Sequence, residues 1–343
     1  MPQKSKVTIY DVAREAGVAI STVSRVLNDS PDVSEATRQK VLKAVEALRF
    51  RPDRVAKKLA QQRKGTVTVA VPSFTSLFYN EMLKGVKDAL RKHDMDLLLC
   101  DMGSQRPHQT LLRFLNRGTV DALLLIGLPI TDDIQDTLLS LYAPVVLVGT
   151  RHTLFDSFYW DEVAGARAAT RHLIMQGHQH IGIIVAHSWS FHMEDRLLGY
   201  RKALEEADIP FNPDYVQTGD TRKHAGFSEE AGYEATQKLL RVAPEITAIF
   251  ANSDVQAIGA RLALEEAGKC IPEEVALIGF DDIKISRYIG LSSVNLALHA
   301  VGFRATERLI QQLKEPDLRP LHQKISPRLM VRKSSQFKRT DHV

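Results

Sequence analysis

Residues 8–28 read TIYDVAREAGVAISTVSRVLN, two helix-sized segments parted by a glycine. Each segment is about eight residues, and an isolated helix in water needs roughly 12–15. Neither could stand alone. Thr8 followed by Asp11 has the spacing of a capping box, which predicts a helix over Ile9–Ala16 with Ile9, Val12, Ala13 and Ala16 on one face. Gly17 ends it. A second helix over Ser21–Asn28 turns Val23, Val26 and Leu27 inward and leaves Ser21, Thr22, Arg25 and Asn28 on the opposite, polar face. Ser34 is placed to cap a third helix, with Val41, Val45 and Leu48 along one side and Leu42 beside them. Short helices, one tight turn and one polar face describe a helix-turn-helix. Its second helix would lie in a DNA major groove, where a side chain such as Arg25 reads a guanine edge.

Charge supports that assignment once it is divided along the chain. The 343 residues carry a net charge of +4, yet residues 1–64 hold 14 Lys and Arg against 7 Asp and Glu. That surplus of seven leaves the rest of the chain acidic by three. A basic head on an acidic body suits a polyanionic partner. Between them, residues 49–65 read RFRPDRVAKKLAQQRKG. Pro52 suits a helix start, and Val55 and Leu59, four apart, form an apolar edge on a basic segment. A plain linker accounts for the charges but not for the apolar pair. A minor-groove helix that orders on DNA, with Leu59 wedged into a base step, accounts for both.

From Thr66 the pattern changes. Apolar runs at 66–71, 96–100, 121–127, 144–149, 181–186, 246–251 and 275–280 alternate with helical periodicity. Continuous apolar strands separated by helices predict a doubly wound parallel sheet. The span is too long for one sheet of ordinary width, so two lobes with a ligand cleft at the strand C-termini are expected.

Several classes of function are excluded or left without support. No apolar run reaches the ~18 residues of a membrane span, and the start MPQKSKVTIYD turns polar before a signal sequence could form. A cytoplasmic protein is expected. Cys100 and Cys270 are the only cysteines, too few for a disulfide framework or a structural zinc site, and both read as ordinary core or strand residues. Gly-x-Gly-x-x-Gly, Walker and Gly-x-Ser-x-Gly motifs are missing, so neither a nucleotide cofactor nor a nucleophile is indicated. His178 and His180 in GHQHIG lack two further ligands and read as turn and strand-start residues. His187 and His192 flank the segment SWSF, a loop near the cleft, where ligand contact and solvation are equally open. No cofactor and no catalytic residue are expected.

The residues quoted for the head, together with VSEATRQKVLKAVEALRFRPDRVAKKLA, resemble the lactose-repressor (LacI/GalR) family of bacterial transcription regulators over residues 7–60. The resemblance implies phosphate contacts at Thr8, Tyr10, Ser24, Asn28, Ser34 and Thr37, base reading by Ile20, Ser21 and Arg25, and an intercalating Leu59 with Ala56 and Ala60 against the minor groove. It also pairs Val55 with its counterpart in a second subunit. Ile20 is an apolar residue where a hydroxyl or amide is usual, which favours a thymine methyl. Asp53 departs from the pattern as well. The body resembles a type I periplasmic-binding-protein fold over about residues 66–334, carried by FYNEMLKGV, RLLGYRKAL, NSDVQAIGA, LIGFDD and PRLMVRKSS. By the same resemblance the chain crosses between lobes near Asp161, Leu291 and Lys324. Arg196 and Asp281 become polar anchors of an effector pocket, Phe78 a stacking residue, and Asp161 and Ser253 further lining. Ser253 stands where Asn is usual, and GLSSVNLALHAVG lacks the customary Pro-x-Leu-Thr-Thr run.

The expected organisation is therefore a helix-turn-helix domain at 1–48, a hinge helix at 49–64, an effector-binding and dimerisation domain at 65–337, and a tail at 338–343. The expected function is a homodimeric DNA-binding regulator, a repressor, whose affinity for a pseudo-palindromic operator is set by a small-molecule effector of the sugar type. The competing readings are a cytosolic solute-binding protein and a nucleoside- or purine-responsive regulator. An architectural DNA-binding protein would have no use for a two-lobed body.

Overall fold

The computed structural model describes residues 8–27, 32–48, 65–103, 105–116, 120–141, 143–187 and 192–336. The chain divides into two compact units, Met1–Gly65 and Thr66–Val343.

In the first unit three helices, α1 (Ile9–Ala16), α2 (Ile20–Leu27) and α3 (Glu35–Ala47), close a small core of Val12, Ala13, Val23, Val26, Val41 and Ala44. The Thr8 backbone N–H donates to the Asp11 carboxylate at 2.9 Å and the Ser34 hydroxyl accepts from the Thr37 N–H, so both predicted starts are capped. Gly17 takes a left-handed conformation with φ 63°, and the Val18 N–H behind it reaches the Ala13 carbonyl at 3.1 Å. This is the geometry that lets the chain reverse between α1 and α2. The second helix begins one residue earlier than expected and ends at Leu27. Leu42 points outward, 43% exposed, because one residue beyond Val41 rotates it about 100° away from the core.

The second unit contains two six-stranded sheets. Seven strands coincide with the predicted apolar runs: β1 (Thr66–Val71), β2 (Asp96–Asp101), β3 (Ala122–Ile126), β4 (Val145–Val148), β6 (Ile181–Ile184), β8 (Ala248–Ala251) and β9 (Ala276–Asp281). The others are β5 (Asp156–Trp160), β7 (Val216–Gln217), β10 (Ser292–Asn295), β11 (His322–Ile325) and β12 (Arg328–Met330). The first sheet is ordered β11-β5-β4-β3-β1-β2 and is parallel throughout; the second is β12-β10-β9-β8-β6-β7, parallel except for β12 against β10. Helices cover the faces, as parallel strands require. Among the described residues no helix is long and apolar enough to cross a membrane.

The chain passes between the sheets after β5, after β10 and after β11. The middle passage lies beyond Asn295, not at Leu291, because Ser292–Asn295 is still in register with Ile278–Asp281 of β9. The helix Leu298–Lys314 then returns to the first lobe and packs on Leu77–Lys92. Their approach is close enough that a Cβ on Gly85 would overlap the carbonyl of His299.

Candidate functional site

On the head, burial of Val23 and Val26 forces the opposite face of α2 outward. Ile20 is 41% exposed, with Ser21 and Arg25 exposed and Thr22 and Ser24 half-buried on the same helix. Tyr10 of α1 is 62% exposed. Thr8 and Ser34 stand exposed at the starts of α1 and α3, with Thr37 half-buried and its hydroxyl 2.9 Å from that of Ser34. Exposed hydroxyls at helix N-termini are suited to phosphate oxygens, that of Thr8 here donating to Asp11 at 2.7 Å, and an exposed helix carrying Ile20, Ser21 and Arg25 has the mixed chemistry of base-edge contacts. Asn28, Ala56, Leu59 and Ala60 lie outside the described residues, as do Pro52, Asp53 and Val55.

In the second unit a cavity of 330 Å³ opens where the C-terminal ends of the two sheets face each other. Each wall follows from its strands. Pro72 and Ser73 follow β1, Gly127 and Leu128 follow β3, Trp160 ends β5, Ser253 follows β8 and Asp281 ends β9. The first lobe supplies an aromatic wall. The ring of Phe78 meets Tyr79 edge-on at 5.0 Å between centroids and Trp160 at 6.2 Å. The indole Nε1 of Trp160 donates to the Leu296 carbonyl at 2.8 Å.

The second lobe supplies the charges. Arg196 is 3% exposed; its Nε donates to Glu162 at 2.7 Å, its Nη1 to the Asn252 carbonyl, and its Nη2 lies 3.7 Å from Asp281. The guanidinium stacks on Phe280 at 3.9 Å. His192 approaches the other Glu162 oxygen at 3.3 Å. Burial holds the His192 imidazole below its ordinary pKa, which keeps it neutral, while the guanidinium beside Glu162 overcomes burial and holds that carboxyl low. Asp281 differs. Burial pushes its carboxyl well above the usual range, and its Oδ1 has no hydrogen-bond donor among the described residues. Asp254, behind it, is fully buried and accepts from Ser286 at 2.6 Å, Ser293 at 2.5 Å and the Ile283 N–H at 2.8 Å; burial still pushes it up to about 7.

The backbone is strained along this wall. Asp281 has φ 106° and Asp282 φ 54°, and across the cavity rim His224 and Ala225 have φ 50° and 58°. Non-glycine residues in this region cost free energy and persist where packing over-determines them. Here the packing is explicit: Asn295 donates to Asp282 at 2.7 Å, Arg332 pairs with Asp282 at 2.7 Å, and Gln256 donates to the Gly226 carbonyl at 2.8 Å.

Four of the five predicted pocket residues, Phe78, Arg196, Ser253 and Asp281, line the cavity together. Asp161 does not. Its Oδ1 caps the helix Glu162–Met175 through the Ala164 N–H at 3.1 Å, and its Oδ2 pairs with Lys324 at 2.6 Å. The next residue, Glu162, is the one that reaches Arg196. Sequence reasoning passed over Glu162, Trp160 and Asn252; the only signal was their adjacency to Asp161 and Ser253. His192, left open between ligand and solvent, is on the cavity wall, whereas His187 bonds the Thr221 carbonyl at 3.0 Å. His178 and His180 hold Thr247 at 3.0 Å and Tyr215 at 2.7 Å, as turn and strand-start residues do. Cys100 is buried in β2 and Cys270 is exposed.

A helix-turn-helix unit with an exposed second helix, joined in one chain to a two-sheet body enclosing a polar-and-aromatic cavity, defines a DNA-binding regulator with an effector domain. Comparisons with known proteins agree. The model of bacterial regulatory proteins of the lacI family matches residues 8–53, and that of a periplasmic-binding-protein-like domain matches residues 170–335. The chain is 32% identical over 337 residues to the HTH-type transcriptional repressor PurR of Photobacterium profundum, covering 95% of this chain and 98% of that one. Among solved structures it resembles a complex of the transcriptional regulator CelR with cellobiose (31% identity, 96% of this chain and 99% of that one, TM-score 0.69). It also resembles the lac repressor dimer bound to operator and the anti-inducer ONPF (25% identity, 97% and 100%, TM-score 0.68). The chain belongs to the LacI family and is a DNA-binding transcriptional regulator.

Proposed function

We propose that this protein is a homodimeric repressor that reads a pseudo-palindromic operator with two heads and changes its operator affinity when a sugar occupies the cavity. One observation carries the effector reading: an aromatic wall of Phe78 and Trp160 faces Arg196 and Asp281 across 330 Å³. A sugar has an apolar CH face and a rim of hydroxyls, and an aromatic ring opposite a carboxylate and a guanidinium complements both. Asp281 would accept from hydroxyls, the outer Arg196 nitrogen would donate to a ring or hydroxyl oxygen, and Ser253 would serve as further lining. The cellobiose held by the CelR relative is of the same chemistry.

On the DNA side, Ile20, Ser21 and Arg25 would read bases, with Thr22 beside them. Thr8, Tyr10, Ser24, Asn28, Ser34 and Thr37 would hold phosphates, while Leu59, with Ala56 and Ala60, would enter the minor groove. A two-fold protein on a two-fold site is the economical arrangement. The dimer reading is supported by the edge strand β2, which exposes Leu97 and Leu99 on one face and Leu98 on the other. A cytoplasmic location follows from operator binding, since the operator is there.

The test is a thermal-shift panel of sugars, sugar phosphates, nucleosides and bases on the full chain, followed by operator binding with and without each hit. A ligand at about 100 times its Kd stabilises the native state by roughly 2.7 kcal/mol. A neutral sugar that stabilises the protein and alters operator affinity is the expected result; stabilisation by a purine alone would replace the sugar reading.

A further inference from the structure

If the cavity is the effector site, its charges decide which molecules it refuses. Arg196 is the guanidinium on the cavity wall, and in most settings such a group would recruit phosphate or carboxylate. Here it is spent before a ligand arrives. Its Nε is 2.7 Å from Glu162, its Nη1 is on the Asn252 carbonyl, and its remaining nitrogen, Nη2, faces Asp281 at 3.7 Å. Glu162 is itself 4% exposed and does not line the cavity. It reaches the ligand space through Arg196 and through His192, whose Nδ1 lies 3.3 Å from its other oxygen.

The charges of Arg196, Glu162 and Asp281 therefore do not sum to a positive value. With both carboxyls ionised, Arg196, Glu162 and Asp281 sum to one negative charge; with a proton kept on Asp281 they sum to zero. His192 adds nothing while burial keeps it neutral. Helix N-termini that open on the cleft offer partial positive charge, but those of this lobe already carry acids in their first turns. Glu162 starts the helix Glu162–Met175, Glu194 and Asp195 the helix Met193–Glu205, and Asp254 the helix Asp254–Glu266. The first-lobe helices Leu77–Lys92 and Pro107–Leu115 start at the cavity without first-turn acids, but an anion placed against Arg196 would meet the Asp281 carboxyl, and among the described lining residues no other Arg or Lys offsets its desolvation.

We propose that Glu162 is a positioning residue that neutralises Arg196 and so restricts the cavity to uncharged, hydroxyl-rich ligands, excluding phosphate esters and carboxylates. Glu162 also orients the guanidinium, leaving one edge turned to a ligand oxygen beside the acceptor Asp281. Removing the Glu162 charge while keeping its shape frees the guanidinium and admits an anion.

The experiment uses the full chain and Glu162→Gln, titrated calorimetrically with ribose against ribose 5-phosphate, glucose against glucose 6-phosphate, and inorganic phosphate alone at constant ionic strength. In the unaltered protein the neutral member of any pair that binds is favoured by at least about ten-fold, and phosphate has no Arg196-dependent binding. In Glu162→Gln, phosphate and the esters gain at least about ten-fold, and Glu162→Gln with Arg196→Ala loses that gain. A purely structural role for Glu162 would weaken all ligands and create no anion affinity. The proposal is overturned by ester preference or Arg196-dependent phosphate binding in the unaltered protein, or by a folded Glu162→Gln that gains no anion affinity. If Glu162→Gln does not fold, the phosphate titration of the unaltered protein against Arg196→Ala still decides. If no neutral sugar binds but phosphate behaves as stated, the sugar reading falls and the charge restriction stands.

Discussion

The Trp160 indole donates to the carbonyl of Leu296 at 2.8 Å, and these two residues stand at two of the three passages between the lobes. Trp160 also lines the cavity and meets Phe78 edge-on. One side chain thus touches both the ligand space and the segment that a change of lobe angle must move. Trp160→Phe keeps an aromatic ring but removes the donor and part of the indole's volume, leaving a buried carbonyl unsatisfied. We expect a stability loss of about 1–3 kcal/mol by denaturant unfolding. Effector affinity should change less than the effector's influence on operator binding; an unchanged influence would remove the bond from the coupling path.

Arg196→Ala strips Glu162 of its partner in a buried site. Breaking a buried ion pair from one side costs roughly 3–5 kcal/mol, so this variant should unfold at distinctly lower denaturant. Where it remains folded, effector binding is lost while effector-free operator affinity stays. Reduced operator affinity without effector would show that Arg196 also serves the DNA-bound state.

Asp254 gives a pH signature. Its folded pKa, about 7, lies above the unfolded value near 3.9, so between those values the folded state binds more protons than the unfolded one. Stability from this group is complete below about pH 4 and is lost as pH rises toward 7. Asp254→Asn should remove that decline, which for a fully buried group amounts to the order of 1–4 kcal/mol. Parallel stability-versus-pH curves for the two proteins between pH 4 and 7 would contradict it.

Arg25→Ala on the exposed face of α2 should weaken operator binding by about 1–3 kcal/mol and relax preference at one base position. Its fold is untouched, because Arg25 is outside the core of Val12, Val23 and Val41. Equal losses on specific and random DNA would reassign Arg25 to a phosphate.

Gly85→Ala tests the packing that brings the chain back to the first lobe. The added methyl collides with backbone at His299, which cannot yield as a side chain would. A loss of about 1–3 kcal/mol or more is expected. An unchanged midpoint would mean that the two helices part freely.

Much of this architecture was legible because it depends on local chemistry. Thr8, Asp11 and Gly17 mark the ends of α1 by hydrogen bonding and backbone freedom that need only neighbours in sequence. Six of the seven apolar runs are strands buried on both faces of a parallel sheet; the seventh, β2, is apolar at an exposed sheet edge. The strands that escaped are those without that signature. β5 opens with Asp156 and β10 with Ser292 and Ser293, polar residues buried because distant partners satisfy them: Leu321 N–H on Asp156 at 2.6 Å, Arg332 and Asp254 on the serines. β11 and β12 lie at sheet edges, where solvent relaxes the apolar requirement.

The sequence by itself determined a head of three capped helices with a polar outer face, a body of parallel strands, and the presence of Phe78, Arg196, Ser253 and Asp281 at a cleft. Each follows from periodicity, capping or a family motif, all of which are written locally. Only the tertiary structure decided that Glu162, not Asp161, meets Arg196, and that the second passage falls after Asn295. The reason is geometric: adjacent residues at a helix start point in different directions, and which one turns inward is settled by the partner it finds, Lys324 for Asp161 and a buried guanidinium for Glu162.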